Sequence, residues 1–206
     1  MKGRYVVRGL ELRRFVAPEF FFGVDARKLA GRYARNYAAR KVLLVTDPGV
    51  IAAGWTADVM DSLQEEAIPF VVFSNVSPNP RATEVMEGGE VYRQNNCNVI
   101  ISVGGGSPTD CAKGIAIVSN NEGNILEFEG FDKIVNPMPP LICVPTTGGT
   151  SADVSQFCMI TNMDEHIKII IASKAIVPDT SKDACMVTNP RRPNIRDIEA
   201  LYEEAT

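Results

Sequence analysis

Short apolar runs alternate with longer amphipathic stretches from residue 20 to residue 145, and this alternation restricts the fold more than any other feature. The runs are four or five residues long and rich in β-branched or aromatic side chains, as at residues 42–46, 70–73 and 99–103. Continuous apolar runs of this length are typical of strands buried on both faces. The pattern therefore predicts an α/β fold, with a Rossmann-like parallel sheet and helices on both faces.

The stretches between the apolar runs are long enough for helices. A first strand is predicted at residues 20–22, and helices are predicted at residues 25–39, 52–66 and 82–94. In the first helix, Leu29, Tyr33 and Tyr37 fall on one face, as expected for a helix that packs against a sheet.

The pattern changes after residue 145. Two β-rich stretches between residues 154 and 172 flank a polar turn and predict a β-hairpin. Residues 182–193 are interpreted as a polar connector. A short C-terminal helix is predicted at residues 195–205, with Asn194 as its N-cap.

Glycine and polar residues follow several of the predicted strands. They are Asp47, Asn79, the turn that starts at Gly104, and the loop at residues 146–149. Right-handed crossovers place the carboxyl ends of parallel strands at one edge of the sheet, where ligands bind. These residues are therefore expected to lie together on one rim.

Three glycines, Gly104, Gly105 and Gly106, connect a predicted strand to a helix, and Ser107 follows them. Glycine lets the backbone approach an anion closely, and the first N–H groups of a helix lack partners, so the turn predicts pyrophosphate binding. The alternative is a tight turn in which Ser107 caps the helix, although three glycines exceed what a cap needs. The turn is not the GxGxxG fingerprint, which would follow the first strand of its unit.

Two further features suggest contacts to a nucleotide. A carboxylate at Asp47 accepts hydrogen bonds from ribose hydroxyls and repels a 2′-phosphate, although Asp-Pro-Gly is also a common turn. The loop Thr146-Thr147-Gly148-Gly149-Thr150-Ser151 carries short hydroxyl side chains suited to phosphate or adenosine. Lys168 stands alone among apolar hairpin residues, and it either reaches a ribose or phosphate or lies on a solvated strand face.

Composition and charge exclude other classes of function. The chain has 206 residues, a net charge of −4 and no Lys/Arg run, so nucleic acid is not expected as a partner. No apolar run approaches membrane-spanning length, and no signal peptide is seen, so no membrane partner and a cytoplasmic location are expected. Five cysteines without a CxxC pair fit a reducing compartment. The only histidine, His166, is interpreted as an exposed, inert residue of the hairpin turn.

Five motifs together resemble the iron-containing (group III) alcohol dehydrogenases. In chain order they are VLLVTDPGV, SPNP, VIISVGGGSPTDCAKGIAIV, PPLICVPTTGGTSADVSQFCMIT and IKIIIASKAIVPD, and the resemblance runs from about residue 20 to residue 179. It implies an N-terminal dinucleotide-binding domain and NAD(P)-dependent interconversion of alcohols with aldehydes or ketones. It also implies a second, helical domain that holds iron or zinc.

The resemblance also implies which residues contact the dinucleotide. Asp47 matches the acidic position that favours NAD over NADP, and Asp110 matches a residue near the nicotinamide. The remaining implied contacts are Asn79, Gly104, Gly105, Gly106, Ser107, Thr146, Thr147, Thr150, Ser151, Val154 and Lys168.

The chain departs from the family after residue 179. The family holds its metal with one Asp and three His of the second domain, but no histidine follows His166 here. Thr180 and Ser181 lead directly to KDACMVTNPRRPNIRDIEALYEEA, which resembles the family's extreme C-terminus. We therefore expect a dinucleotide-binding domain at residues 1–179 and a junction with a tail helix at residues 180–206. The metal-binding domain is expected to be missing, through an engineered junction or a natural deletion.

Without metal ligands the chain is expected to bind NAD but no iron or zinc, and to have little or no dehydrogenase activity, because nothing would polarise the carbonyl oxygen. One alternative is an enzyme whose partner chain supplies the metal. Another is a scaffold that self-associates through the exposed inter-domain face and keeps a vestigial nucleotide site. A third keeps the domain plan with the chemistry of glycerol dehydrogenase or dehydroquinate synthase relatives.

Overall fold

The structure is a computed structural model that describes residues 19–176 and 184–187. Its strands are β1 (Glu19–Phe22), β2 (Val42–Val45), β3 (Phe70–Phe73), β4 (Val99–Gly104), β5 (Gly130–Phe131), β6 (Leu141–Pro145), β7 (Phe157–Asn162), β8 (Ile167–Ala172) and β9 (Ala184–Val187). Its α-helices are α1 (Ala30–Asn36), α2 (Pro48–Ala52), α3 (Trp55–Glu65), α4 (Ala82–Gln94) and α5 (Gly106–Asn120). Shorter 3-10 helices cover Ala26–Leu29, Ile125–Phe128 and Lys174–Ile176.

Six strands form one parallel sheet in the order β1-β9-β6-β4-β2-β3. Every residue of β2, β4 and β6 is buried, which explains why these strands are apolar throughout rather than alternating. The predicted α/β fold with a parallel sheet is confirmed. The hairpin is also confirmed, as β7 paired antiparallel with β8, and the short strand β5 extends this second sheet.

Two hydrophobic cores lie on opposite faces of the parallel sheet. Alternate residues of β2 divide between them, with Leu43 and Val45 facing α4, α5 and the hairpin. Val42 and Leu44 face α1, α2 and α3 on the other side. Each such fully buried aliphatic side chain contributes about 1.5–3 kcal/mol relative to an exposed one. Helices therefore cover both faces, as the sequence predicts.

Two predicted helices differ from the observed ones in their boundaries. The stretch at residues 25–39 forms a 3-10 turn followed by α1, and the chain leaves the helix before Ala38, whose φ is 53°. The stretch at residues 52–66 is α3, preceded by the separate helix α2. Gly54 separates α2 from α3, because its left-handed conformation, with a φ of 82°, does not continue a helix.

The predicted polar connector at residues 182–193 is wrong for Ala184–Val187, which form β9 between β1 and β6. Four apolar residues suffice for a strand when neighbours on both sides pair with its backbone N–H and C=O groups. The remaining connector residues, the predicted C-terminal helix at residues 195–205 and its cap Asn194 lie outside the described residues.

Four cysteines are buried thiols in the described part of the chain: Cys97, Cys111, Cys143 and Cys158. Burial raises the pKa of the Cys158 thiol well above its usual range. These residues pack as small apolar side chains. Across residues 19–176 and 184–187, no helix combines the length and the apolar character needed to cross a bilayer.

Candidate functional site

Two clefts share a wall at the carboxyl edge of the parallel sheet. The first has a volume of about 650 Å³ and the second of about 270 Å³. Gly106 and Ser107, at the start of α5, line both clefts. Predicted residues in the first are Asp47, Gly105, Gly106, Ser107, Thr146 and Thr147, and predicted residues in the second are Asn79, Gly106, Ser107, Asp110, Thr150 and Lys168.

The first cleft lies where the topology of the sheet reverses. Strands β2 and β4 are neighbours, but the helices that follow them leave in opposite directions. Val50 of α2 packs in the core on one face, whereas α5 packs in the core on the other. Such a reversal opens a crevice at the carboxyl ends of the strands, where ligands of open α/β sheets bind. Of the residues expected on one rim, Asp47, Thr146 and Thr147 line this cleft, and Asn79 lines the second.

The turn between β4 and α5 leaves little room for a side chain at two positions. Gly104 has a φ of 151°, and a Cβ atom on it would lie 2.5 Å from Cγ of Pro108. A Cβ atom on Gly105 would lie 3.0 Å from Oγ1 of Thr147. The glycine turn and the threonine loop therefore approach each other closely at Gly105 and Thr147.

The N-terminus of α5 has no side-chain cap. Gly105 is the N-cap residue, and because it has no side chain the cap position offers no side-chain acceptor to the first-turn N–H groups. The alternative in which Ser107 caps the helix is wrong, because Gly105 is the N-cap and Ser107 lies within the first turn, where its Oγ accepts a hydrogen bond from the backbone N–H of Asn79 at 3.1 Å. The first-turn amides and the positive end of the helix dipole therefore face the two clefts, an arrangement that attracts anions.

Asp47 has a structural role as well as a position in the first cleft. Its Oδ1 accepts a hydrogen bond from the backbone N–H of Val50 at 2.9 Å and caps α2, with Pro48 at the first helical position. The Asp-Pro-Gly segment is therefore the start of a helix rather than a turn, and Asp47 is its cap. This contact occupies one carboxylate oxygen and leaves the side chain on the cleft wall.

The rest of the first cleft has an apolar wall that sequence reasoning missed. It is built by Val50, Ala53, Trp55 and Val76. These residues come from three separate segments, and their apolar character alone does not distinguish them from core residues. A wall of this kind suits a flat heteroaromatic ring.

In the second cleft, Asn79 links three parts of the chain. Its Oδ1 accepts a hydrogen bond from Nζ of Lys168 at 2.6 Å, and its carbonyl oxygen accepts one from Oγ1 of Thr161 at 3.3 Å. Lys168 is exposed, which agrees with the alternative that places it on a solvated strand face. Its amine is nevertheless held at the cleft.

Asp110 is the buried charged group of the second cleft, with 8% of its surface exposed. Burial raises the pKa of its carboxyl group to about 6. The Lys113 charge, a hydrogen bond from the Met159 backbone and the Lys168 charge act in the opposite direction and lower this pKa. The carboxyl group therefore titrates close to neutrality.

Lys113 was missed by sequence reasoning. It is 1% exposed, and its Nζ donates hydrogen bonds to the carbonyl oxygens of Ser155 and Phe157, both at 2.8 Å. The available signal was a single charge in the apolar helical run CAKGIAIV. A lysine there needs buried oxygen partners, since an unpaired buried charge is too costly.

Three predicted contact residues line neither cleft: Gly104, Ser151 and Val154. Gly104 shapes the turn, and the carbonyl oxygen of Ser151 accepts the N–H of Val154 at 3.2 Å in the following loop. His166 is exposed in the hairpin turn with a φ of 55°, as predicted. Over residues 19–176 and 184–187, no three His, Cys, Asp or Glu side chains form a group that could hold a metal ion.

Comparison with known proteins finds alcohol and diol dehydrogenases that are similar to this chain in sequence and in fold. A 1,3-propanediol dehydrogenase of Citrobacter freundii is 40% identical over 163 residues, which cover 78% of this chain and 42% of that protein. A crystal structure of 1,3-propanediol oxidoreductase superposes with a TM-score of 0.81 and 34% identity, over 86% of this chain and 46% of that one. The crystal structure of NADH-dependent butanol dehydrogenase A from Thermotoga maritima superposes with a TM-score of 0.78 and 31% identity, over 86% of this chain and 44% of that one.

The matches also define how much of each relative is represented. The chain spans less than half the length of these relatives. The sequence model of iron-containing alcohol dehydrogenases matches residues 17–181, which include both clefts and every described strand except β9. The chain therefore belongs to the iron-containing alcohol dehydrogenase family.

Proposed function

We propose that this chain binds NAD across the two clefts, with the pyrophosphate at the start of α5. The observation that carries this proposal is that Gly106 and Ser107 line both clefts at a helix N-terminus without a side-chain cap. A dinucleotide has two halves joined by a doubly charged bridge. One anion site between two clefts matches that shape.

The adenosine half is assigned to the first cleft. Its apolar wall, including Trp55, suits the adenine ring, and Thr146 and Thr147 offer hydroxyl groups. Asp47 stands on the same wall and would accept hydrogen bonds from the ribose. Its charge would repel a 2′-phosphate, so NAD is the proposed cofactor rather than NADP. The NADH dependence in the name of the Thermotoga maritima relative agrees with this choice.

The nicotinamide half is assigned to the second cleft, which is smaller and more polar. Asn79, Lys168 and Asp110 provide an amide, an amine and a carboxyl group there. A bound nicotinamide supplies the hydride acceptor or donor. The residues of this chain bind and orient the nicotinamide ring. Binding of the alcohol needs groups that lie outside this cleft.

We further propose that a metal-binding helical domain is missing at the junction of residues 179–182 and that the chain alone has little or no dehydrogenase activity. The described residues offer no ligand group for iron or zinc, so no step through a metal is assigned to them. The sequence passes from the end of the family match at residue 181 to a segment resembling the family's C-terminus. The loss of carbonyl polarisation typically costs several kcal/mol of transition-state stabilisation. The four buried cysteines of the described residues form no disulfide, which favours a reducing compartment, in line with a cytoplasmic location.

Backbone NMR of the 15N-labelled chain tests where the cofactor binds. ADP-ribose and NADH should both shift the amide signals of Gly106 and Ser107, and only NADH should also shift residues of the second cleft, such as Met159. Shifts confined to other parts of the chain would overturn the assignment. Incubation with NAD, 1,3-propanediol and Fe²⁺ or Zn²⁺ should yield no NADH beyond the protein-free control, and metal-dependent turnover would refute the proposed inactivity.

A second candidate is a self-associating scaffold, and one surface favours it. Phe157, Met159 and Ile170 are 48%, 47% and 50% exposed on one face of the hairpin. Met159 and Ile170 are cross-strand partners, so this apolar patch is continuous. A mass that increases with protein concentration, together with no affinity for NADH, would favour the scaffold over the cofactor-binding domain.

A further inference from the structure

Lys113 is the largest side chain among those that are fully buried in the described part of the chain. It lies in the part of α5, from Pro108 to Val118, in which every residue is buried. Burying an ammonium group costs several kcal/mol unless oxygen partners replace water. A leucine or methionine would fill the same space without this cost, so the charge needs a reason other than packing.

The partners of the ammonium group lie in one segment. Nζ donates to the carbonyl oxygens of Ser155 and Phe157, both at 2.8 Å, and lies 3.4 Å from Oγ of Ser155. Ser155 and Phe157 join the threonine loop to β7, and both line the second cleft. The lysine therefore ties α5 to a wall of that cleft from behind.

We propose that Lys113 is a positioning residue for the nicotinamide half of the cofactor: its ammonium group holds the wall at Ser155 and Phe157 in register with the phosphate-binding turn at Gly106. This inference rests on the proposed NAD function and deepens it. Lys113 and Gly106 belong to the same helix, two turns apart, or about 10 Å along its axis. A helix is rigid over this length. The hydrogen bonds from Lys113 to Ser155 and Phe157 therefore also set the distance between this wall of the second cleft and Gly106.

The charge of Lys113 has a second effect within the same cleft. Asp110, one turn earlier on α5, is faced by Lys113 from its own helix, by Lys168 of β8 and by the Met159 backbone of β7. Each of these contacts lowers the pKa of a carboxyl group that burial raises. The Asp110 pKa therefore reports on whether the ammonium group is in place, independently of cofactor binding.

The test compares wild type with K113M, which keeps an unbranched side chain, one heavy atom shorter, and removes the charge. We expect K113M to weaken NADH binding about tenfold and to leave AMP binding within about twofold, because AMP occupies only the first cleft. By carboxyl NMR, the pKa of Asp110 should rise in K113M. A variant with unchanged NADH affinity, or with equal losses for NADH and AMP, would overturn the positioning role.

Two further variants separate geometry from charge. K133M removes an exposed lysine that lines neither cleft, so its NADH affinity should match wild type. K113R keeps the positive charge, but a planar guanidinium group cannot take the place of the ammonium group between the two carbonyls. K113R should therefore leave the Asp110 pKa close to that of wild type and still bind NADH more weakly. This variant carries the test if K113M does not fold, and wild-type NADH affinity in K113R would then overturn the inference.

The wild-type titrations distinguish the two levels of the proposal. Wild-type chain that binds neither AMP nor NADH would refute the NAD function itself. Wild-type chain that binds NADH, together with a K113M variant of equal affinity, would refute only the role of Lys113.

Discussion

The side-chain amide oxygen of Asn79 lies 2.6 Å from Nζ of Lys168, across the second cleft. This contact joins the loop after β3 to the second strand of the hairpin. The backbone N–H of Asn79 also donates to Ser107, at the start of α5. Asn79 therefore couples the hairpin to the phosphate-binding turn, although the two are far apart in the sequence.

Removing the amine at Lys168 should weaken cofactor binding selectively. K168M leaves Asn79 without its side-chain partner and removes a positive charge from the second cleft. We expect NADH affinity to fall about fivefold to tenfold while AMP affinity is unchanged, as measured by fluorescence titration. K174M removes an exposed lysine that lines neither cleft and should behave as wild type. Equal effects of the two variants would show that Lys168 contributes only general charge.

A side chain at Gly105 should disturb the site without unfolding the protein. In G105A, the new Cβ atom would lie 3.0 Å from Oγ1 of Thr147, so the threonine side chain must move. We expect a loss of NADH affinity of about tenfold, with a change in the free energy of unfolding below about 1 kcal/mol. G23A is the matched control, since its Cβ atom would meet nothing within 4 Å. Unaltered NADH binding in G105A would separate the glycine turn from the phosphate site.

Substitutions at Asp47 should separate its two roles. D47A removes the cap of α2 and should lower the free energy of unfolding by about 1 kcal/mol. D47S keeps a capping oxygen but loses the charge, so its stability should stay near that of wild type. In D47S the ratio of NADPH to NADH affinity should rise, because the repulsion of the 2′-phosphate is gone. Parallel titrations with the two nucleotides measure this ratio, and an unchanged ratio would mean that Asp47 acts only as a cap.

The buried carboxyl group of Asp110 should make stability depend on pH. Burial raises its pKa to about 6, above the value of about 3.9 for an unfolded chain. Between these values the folded state binds the proton more tightly, so this group's contribution to stability falls as pH rises through the window. D110N lacks the titration. Its free energy of unfolding relative to wild type should therefore increase from pH about 4 to pH about 7, by up to about 3 kcal/mol.

Urea unfolding of both proteins at several pH values measures this difference. The expected result is two curves that diverge as pH rises. A constant separation between D110N and wild type would show that Asp110 has the same pKa in the folded and unfolded states.

Local patterns in the sequence predict much of the fold. The buried run at residues 99–103 and the glycines after it predict β4 to within one residue and the start of α5, because both are determined by neighbours in the chain. The gathering of Asp47 and the threonine loop follows from the parallel topology. Strand β9 was missed because its four apolar residues stand among polar ones, and its pairing partners β1 and β6 lie far away in the sequence.

In the candidate site too, the residues that sequence reasoning missed depend on partners far away in the chain. Glycine and hydroxyl residues are recognised because their local chemistry is unusual. Lys113 was missed because its role depends on the carbonyl oxygens of Ser155 and Phe157, which lie 42 and 44 residues away. Backbone carbonyls carry no sequence signal, so a contact of this kind becomes visible only in the folded chain.

Titration of the purified chain with NADH, followed by nucleotide fluorescence and repeated with NADPH, tests directly whether the two clefts bind a dinucleotide. We expect saturable binding of NADH, with weaker binding of NADPH. A chain that is folded by circular dichroism and binds neither nucleotide would contradict the assignment of the two clefts to a dinucleotide.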